Sequence, residues 1–228
     1  MPRKKKTLKV EKSLEDVKEK KLDFKIRKDW ILLGVGILII FLVCYYFFYS
    51  WGQFNYKGLA FAKEAYSGVV MYHYFYFFDD SGQIYKNNIY LRHDPRQNKI
   101  PIDGEIVYLS DSYVYIGVDS KNLKYCEDSA IALASLSGFI SNNLFELRSG
   151  NTDVEVAKEN NQTYIDCEKF PQNTIILIKE GNETKITKEG NNCHIISVSQ
   201  CEIQPAVEKF VVQSILDGKA RNFRENSN

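Results

Sequence analysis

Between Trp30 and Trp51 the chain reads WILLGVGILIIFLVCYYFFYSW, a stretch without a single charge. At 1.5 Å of rise per residue, about 20 apolar residues cross a hydrocarbon core about 30 Å thick. Trp30 marks one edge, and Tyr45, Tyr46, Tyr49 and Trp51 crowd the other, where amphipathic rings favour the headgroup layer. One transmembrane helix over residues 30–51 is the expectation, and the two flanks are read from it.

Residues 1–29 hold twelve Lys/Arg against six acids, a net charge of +6, while the remainder holds 18 basic and 23 acidic residues, a net charge of −5. Positive charge resists translocation, so the tail 1–29 should stay cytoplasmic and the C-terminal part should be exported. The apolar run exceeds the length of a signal-peptide core. An uncleaved, single-pass signal anchor in the cell membrane is therefore expected, with the lipid bilayer as first partner. A mildly acidic exported domain lacks the concentrated basic face that nucleic acid requires, so no nucleic-acid partner is expected.

Residues 52–220 are long enough to bury a core of their own and are read as one extracytoplasmic domain, with a polar tail at 221–228. Residues 52–58 read as a connector. The β-branched and aromatic run Val69 to Phe78, the turn Asp79-Asp80-Ser81-Gly82 and the return Ile84 to Arg92 predict a hairpin. His73, inside that run, is read as a hydrogen-bonded structural histidine. Further short strands are expected at 106–109, 113–118, 153–157, 174–179, 185–188 and 194–198. Leucines and isoleucines recurring at three and four predict a helix over 126–147, and Pro205 opens another, expected to stop at Gly218. The fold class expected is α+β or α/β: one mixed sheet flanked by two main helices.

Of five cysteines, Cys44 lies in the span and four lie in the exported part. An even number in an oxidising compartment suggests two disulfides. Of the three pairings that Cys126, Cys167, Cys193 and Cys201 allow, Cys193–Cys201 with Cys126–Cys167 is expected, the first closing a local loop and the second tying the main helix to the sheet. Asn161 and Asn182 begin glycosylation triplets on expected surface turns.

Catalytic signatures are missing from the sequence: it contains no G-x-S-x-G, H-E-x-x-H, phosphate-binding loop or dinucleotide fingerprint. No catalytic residue, metal or cofactor is assigned. The sharpest polar cluster is Tyr90-Leu91-Arg92-His93-Asp94-Pro95-Arg96. Two guanidiniums and an imidazole on one loop can clamp an anionic group, whereas pairing with nearby acids would make the same residues structural.

This cluster, followed by Cys126, Cys167, the Cys193/Cys201 pair and Val207-Glu208-Lys209-Phe210, resembles uncharacterised archaeal single-pass membrane-anchored proteins. The resemblance spans most of residues 53–220 and implies an archaeal envelope setting in which the glycosylation triplets can be used. Two functions are expected. The first is a membrane-anchored extracytoplasmic binding or scaffolding subunit that contacts other envelope proteins through the aromatic strand Val69 to Phe78. The alternative is an extracytoplasmic enzyme or ligand-binding domain that uses Arg92, His93 and Arg96 on an anionic group.

Overall fold

The computed structural model describes residues 30–47, 52–109 and 112–225. The basic tail expected over 1–29 and the aromatic edge at Tyr49 and Trp51 lie outside the described residues. The chain divides into two compact units, Met1–Gln53 and Phe54–Asn228.

The first unit carries α1, Trp30–Phe47, which is long and apolar enough to cross a membrane. Its side chains, from Trp30 to Phe47, are exposed almost throughout. Apolar surface of that extent is unfavourable in water and suits hydrocarbon.

The second unit opens with four antiparallel strands in sequential order: β1 (Gln53–Tyr56), β2 (Leu59–Tyr66), β3 (Val69–Asp80) and β4 (Gln83–Leu91). The expected hairpin is β3–β4, with Asp80 opposite Gln83 and Tyr72 opposite Leu91. The expected connector 52–58 instead contains β1, and β2 was not expected at all. Each of the three joints is a two-residue turn with both φ angles positive: Lys57-Gly58 at 50° and 83°, Ser67-Gly68 at 49° and 85°, and Ser81-Gly82 at 53° and 83°. Such turns match the right-handed strand twist, and glycine takes the second position at little steric cost.

A second, seven-stranded sheet follows, so the unit has two sheets rather than one. Its strands are β5 (Ile102–Asp103), β6 (Val114–Val118), β7 (Leu147–Asn151), β8 (Thr163–Tyr164), β9 (Thr174–Glu180), β10 (Lys185–Glu189) and β11 (Cys193–Val198). Their order is β5-β10-β11-β9-β6-β7-β8, and β11, β9, β6, β7 and β8 run parallel. β10 is antiparallel to β11. The run Thr174 to Ile178 is buried at every position, as a central strand covered on both faces must be.

Helix α2 (Ser129–Asn142) joins β6 to β7, α3 (Val154–Glu159) joins β7 to β8, and α4 (Ile203–Glu225) follows β11. α2 is shorter than the expected 126–147. Leu144 takes a φ of 64°, which ends the helix, and Leu147 pairs with Val114 as the start of β7. The strand expected at 153–157 is α3, because Asp153 caps it by accepting the amides of Glu155 and Val156 at 2.9 and 3.0 Å. The strand expected at 106–109 is absent. There the Ile106 amide donates to Asp217 and the Leu109 amide to Thr174, side chains standing in for a ladder. α4 continues past Gly218, where Arg221 and Arg224 both reach Glu105 at 3.0 Å.

One hydrophobic cluster takes in Leu59, Phe61, Tyr74, Ile89 and Leu91 of the first sheet, Leu136 and Ile140 of α2, and Val207, Phe210 and Val211 of α4. It also takes in Ile176, Ile178 and Ile196 of the second sheet. Burial of α4 on nearly every side from Ile203 to Ile215 fits a helix with a sheet on either hand. A smaller cluster, Ile165, Ile175, Leu177, Cys193 and Ile195, covers the opposite face of the second sheet. Ile165 seats there against Gly117 and Gly150, which face each other in register; a Cβ on Gly150 would lie 2.0 Å from the Thr163 carbonyl oxygen.

The disulfides are Cys126–Cys201 and Cys167–Cys193, with Cα separations of 5.6 and 5.4 Å, and not the expected Cys193–Cys201 and Cys126–Cys167. Strand direction explains the exchange. Cys126 and Cys201 precede α2 and α4, both of which leave the same end of the parallel strands. Cys193 begins β11 beside Ile175, at the opposite end, where the segment bearing Cys167 crosses the sheet.

Candidate functional site

The alternation of β3 sends Tyr72, Tyr74, Tyr76 and Phe78 inward against the helices, and His73, Phe75 and Phe77 outward. From β4 the outward partners are Tyr90 opposite His73, Asn88 opposite Phe75, Lys86 opposite Phe77 and Ile84 opposite Asp79. Phe75, Phe77, Ile84 and Tyr90 are exposed on this face, Phe77 by 60% and Ile84 by 71%. Lys86 Nζ stands 4.3 Å over the Phe75 ring.

A polar web borders this apolar ground. His73 Nδ1 meets Glu64 Oε1 at 2.8 Å, and its Nε2 meets Asn88 Oδ1 at 3.2 Å. The imidazole stacks on Tyr90 with centroids 4.5 Å apart, and Tyr66 also donates to Glu64. His73 is thus a hydrogen-bonded structural residue, held by both ring nitrogens.

The loop after β4 lies against the start of α4. Glu208, only 3% exposed, accepts the Arg92 amide at 2.6 Å and the His93 amide at 3.1 Å. The same carboxylate faces His93 Nδ1 at 2.9 Å and accepts from Gln204 Nε2 at 2.8 Å. Its hold on the ring favours imidazolium and raises the His93 pKa above the ordinary histidine value. Arg92 Nη1 donates to Asp128 at 2.6 Å. Arg96 grips Asp94 through Nε and Nη2, at 3.0 and 2.6 Å, and its guanidinium lies 3.8 Å over Phe54. This grip holds the Asp94 carboxyl below the usual range.

Arg92, His93 and Arg96 therefore share one loop, and each is matched there with a carboxylate. His194 is elsewhere: it is buried on β11, its Nε2 meets the Val107 carbonyl at 3.2 Å, and burial lowers its pKa. Asn161 and Asn182 are exposed, whereas Thr184 is buried with its hydroxyl on the Ser199 backbone.

Two of the clefts lie beside these elements. Strand order reverses between β6 and β9, where α/β sheets commonly admit ligands. Here the turn 119–124 takes that space: the Asp119 amide donates to Ile178 and the Lys124 amide to Glu180. Beside it, a cleft of about 410 Å³ is lined by neutral side chains, Ser120, Ser149, Asn151, Asn160 and Gln162 among them. The other cleft, about 220 Å³, runs between the edge of β4 and the helices. Its lining includes Ile89, Leu91, Ser135, Gly138, Phe139 and Val207.

No known protein family, curated protein or solved structure matches the chain. Sequence reasoning pointed to the aromatic strand but missed Glu208, which organises the basic loop. The only local signal was its position in a helix otherwise facing the core, where an acid needs a donor.

Proposed function

We propose that this protein is a membrane-anchored binding or scaffolding module of the cell envelope, with its N-terminus in the cytoplasm and its two-sheet unit outside. The outward face of the four-stranded sheet docks another envelope protein. The observation that carries this is the juxtaposition of exposed Phe75, Phe77 and Ile84 with a rim of Glu64, His73, Lys86 and Asn88. An apolar centre inside a polar margin is the usual anatomy of a protein interface, and aromatic rings contribute most of the energy in such centres. The location is supported by the apolar α1 and by two disulfides, which persist in oxidising compartments.

The test is co-purification from native membranes. Phe75→Ser with Phe77→Ser should release a partner that the unaltered chain retains, with at least a tenfold loss of recovery. Recovery of the same partner at the same yield by both chains would refute the docking face.

A further inference from the structure

The three turns of the first sheet divide between its two ends. Its strands are antiparallel and in sequential order, so Ser67-Gly68 lies at the end where the chain enters at Gln53. Lys57-Gly58 and Ser81-Gly82 lie at the remote end. The remote turns are charged, by Lys57 on one and by Asp79 and Asp80 on the other. The near turn and its flanks, Ala65 to Tyr72, read AYSGVVMY and carry no charge.

This near turn also overhangs its neighbours. The two-residue joint Lys57-Gly58 sets Gln53 beside Ala62, in agreement with the Phe54–Phe61 stack at 5.6 Å. Ala62 in turn lies opposite His73. On the other flank β4 ends at Leu91, opposite Tyr72. Beyond those positions β2 and β3 pair only with each other, as far as Tyr66 opposite Val69. Val69 and Val70 point to opposite faces of the strand, yet both are exposed, as is Tyr66. The tip therefore stands clear of the core on both faces.

We infer that this tip, Tyr66 with Val69 and Val70, rests in the headgroup layer of the bilayer, an inference that rests on the membrane-anchored reading above. Covalent connection favours lipid as the partner. Six peptide steps separate Phe47, the end of α1, from Gln53, and at full extension they bridge about 22 Å. The hairpin reaches back four residues from the level of Gln53, from His73 to Val69, or about 14 Å at the rise of a strand. With the connector straight and upright, the tip stays about 8 Å beyond the level of Phe47. The headgroup layer is itself roughly 5–7 Å thick, and any slack in the connector lowers the tip into it. Tilting the sheet the other way would leave uncharged, apolar surface in water. The side chains suit this depth, because a tyrosine ring favours the interface and valine the hydrocarbon beneath it. Phe75, Phe77 and Ile84 lie further along the sheet, so the tip and the docking face are separate surfaces.

The test uses the full chain with Cys44→Ser as background, reconstituted alone in phosphatidylcholine vesicles. Val70→Cys, Gln83→Cys and Leu38→Cys are made singly, and each thiol receives a nitroxide label. All three replace exposed side chains: at the tip, at the remote turn and in α1. Collisions of the label with oxygen, which concentrates in lipid, are compared with collisions with a nickel chelate confined to water. The oxygen-to-nickel ratio at position 70 should exceed that at position 83 at least threefold. Equal ratios at 70 and 83, with position 38 in lipid, overturn the inference and leave the anchor standing. A label at 70 that neither reagent reaches is covered by protein, and that also overturns it. Free access of nickel to position 38 would overturn the anchored reading itself, and this inference with it.

Discussion

Glu208 and His93 are 115 residues apart, yet one carboxylate oxygen of Glu208 meets both the amide of His93, at 3.1 Å, and its ring Nδ1, at 2.9 Å. This contact joins the end of the first sheet to the helix that packs on the second. Glu208→Ala would strand the Arg92 and His93 amides beside a buried gap. Breaking such a buried, hydrogen-bonded charge costs about 3–5 kcal/mol. For a chain of this size we expect the thermal midpoint in detergent to fall by roughly 6–20 °C, and a scan showing less than 2 °C would contradict the account.

His93 and His194 should titrate apart. NMR of the imidazoles should place His93 above its ordinary value, because Glu208 favours its charged form, and His194 below, because burial opposes charge. A raised folded pKa means that His93 stabilises the fold fully below about pH 6.5 and loses that contribution as pH rises through the folded value. His194 acts in the opposite sense, and its cost grows as pH falls below about 6.5. His93→Gln should therefore lower stability more at pH 5.5 than at pH 8.5. A deficit independent of pH would show that Glu208 and His93 are not coupled through a proton.

Gly150 and Gly138 offer a matched pair. At Gly150 a new Cβ meets the Thr163 backbone at 2.0 Å, whereas at Gly138 it meets nothing within 4 Å. Gly150→Ala should cost about 3 kcal/mol through overpacking. Gly138→Ala should add about 0.4–1 kcal/mol, because it restricts the unfolded chain and favours the helix. Thermal midpoints moving in the same direction would refute the packing described for β7 and β8.

Proteolysis of the unreduced protein should yield linked peptides for Cys126–Cys201 and Cys167–Cys193 alone. Closing loops of 75 and 26 residues contributes roughly 3–5 kcal/mol each by chain entropy. A peptide linking Cys193 to Cys201 would overturn the strand directions, since those residues sit at opposite ends of β11.

Periodicity carried much of the fold: the uncharged run at 30–47, the β3–β4 hairpin, the buried β9 and the start of α4 were all legible. Two hairpins were missed although Lys57-Gly58 and Ser67-Gly68 signal them, because the strands they join are short or weakly alternating. Asp153 was read as part of a strand because the pattern DVEVA alternates by two, yet its side chain caps a helix. The Arg92–His93–Arg96 cluster was visible as a grouping, and pairing of its arginines with acids was one of the two readings, but two of the acids were not legible, since Asp128 and Glu208 reach it from distant elements.

By itself the sequence determined local matters: which stretch suits hydrocarbon, which segments alternate by two or by three and four, and which turns accept positive φ. These depend on neighbours a few residues apart. Tertiary structure decided which cysteine meets which, where each cation finds its acid, and which edge of the first sheet stays open. Those outcomes depend on strand order and direction, and the free energy that fixes them comes from burial shared between residues a hundred positions apart.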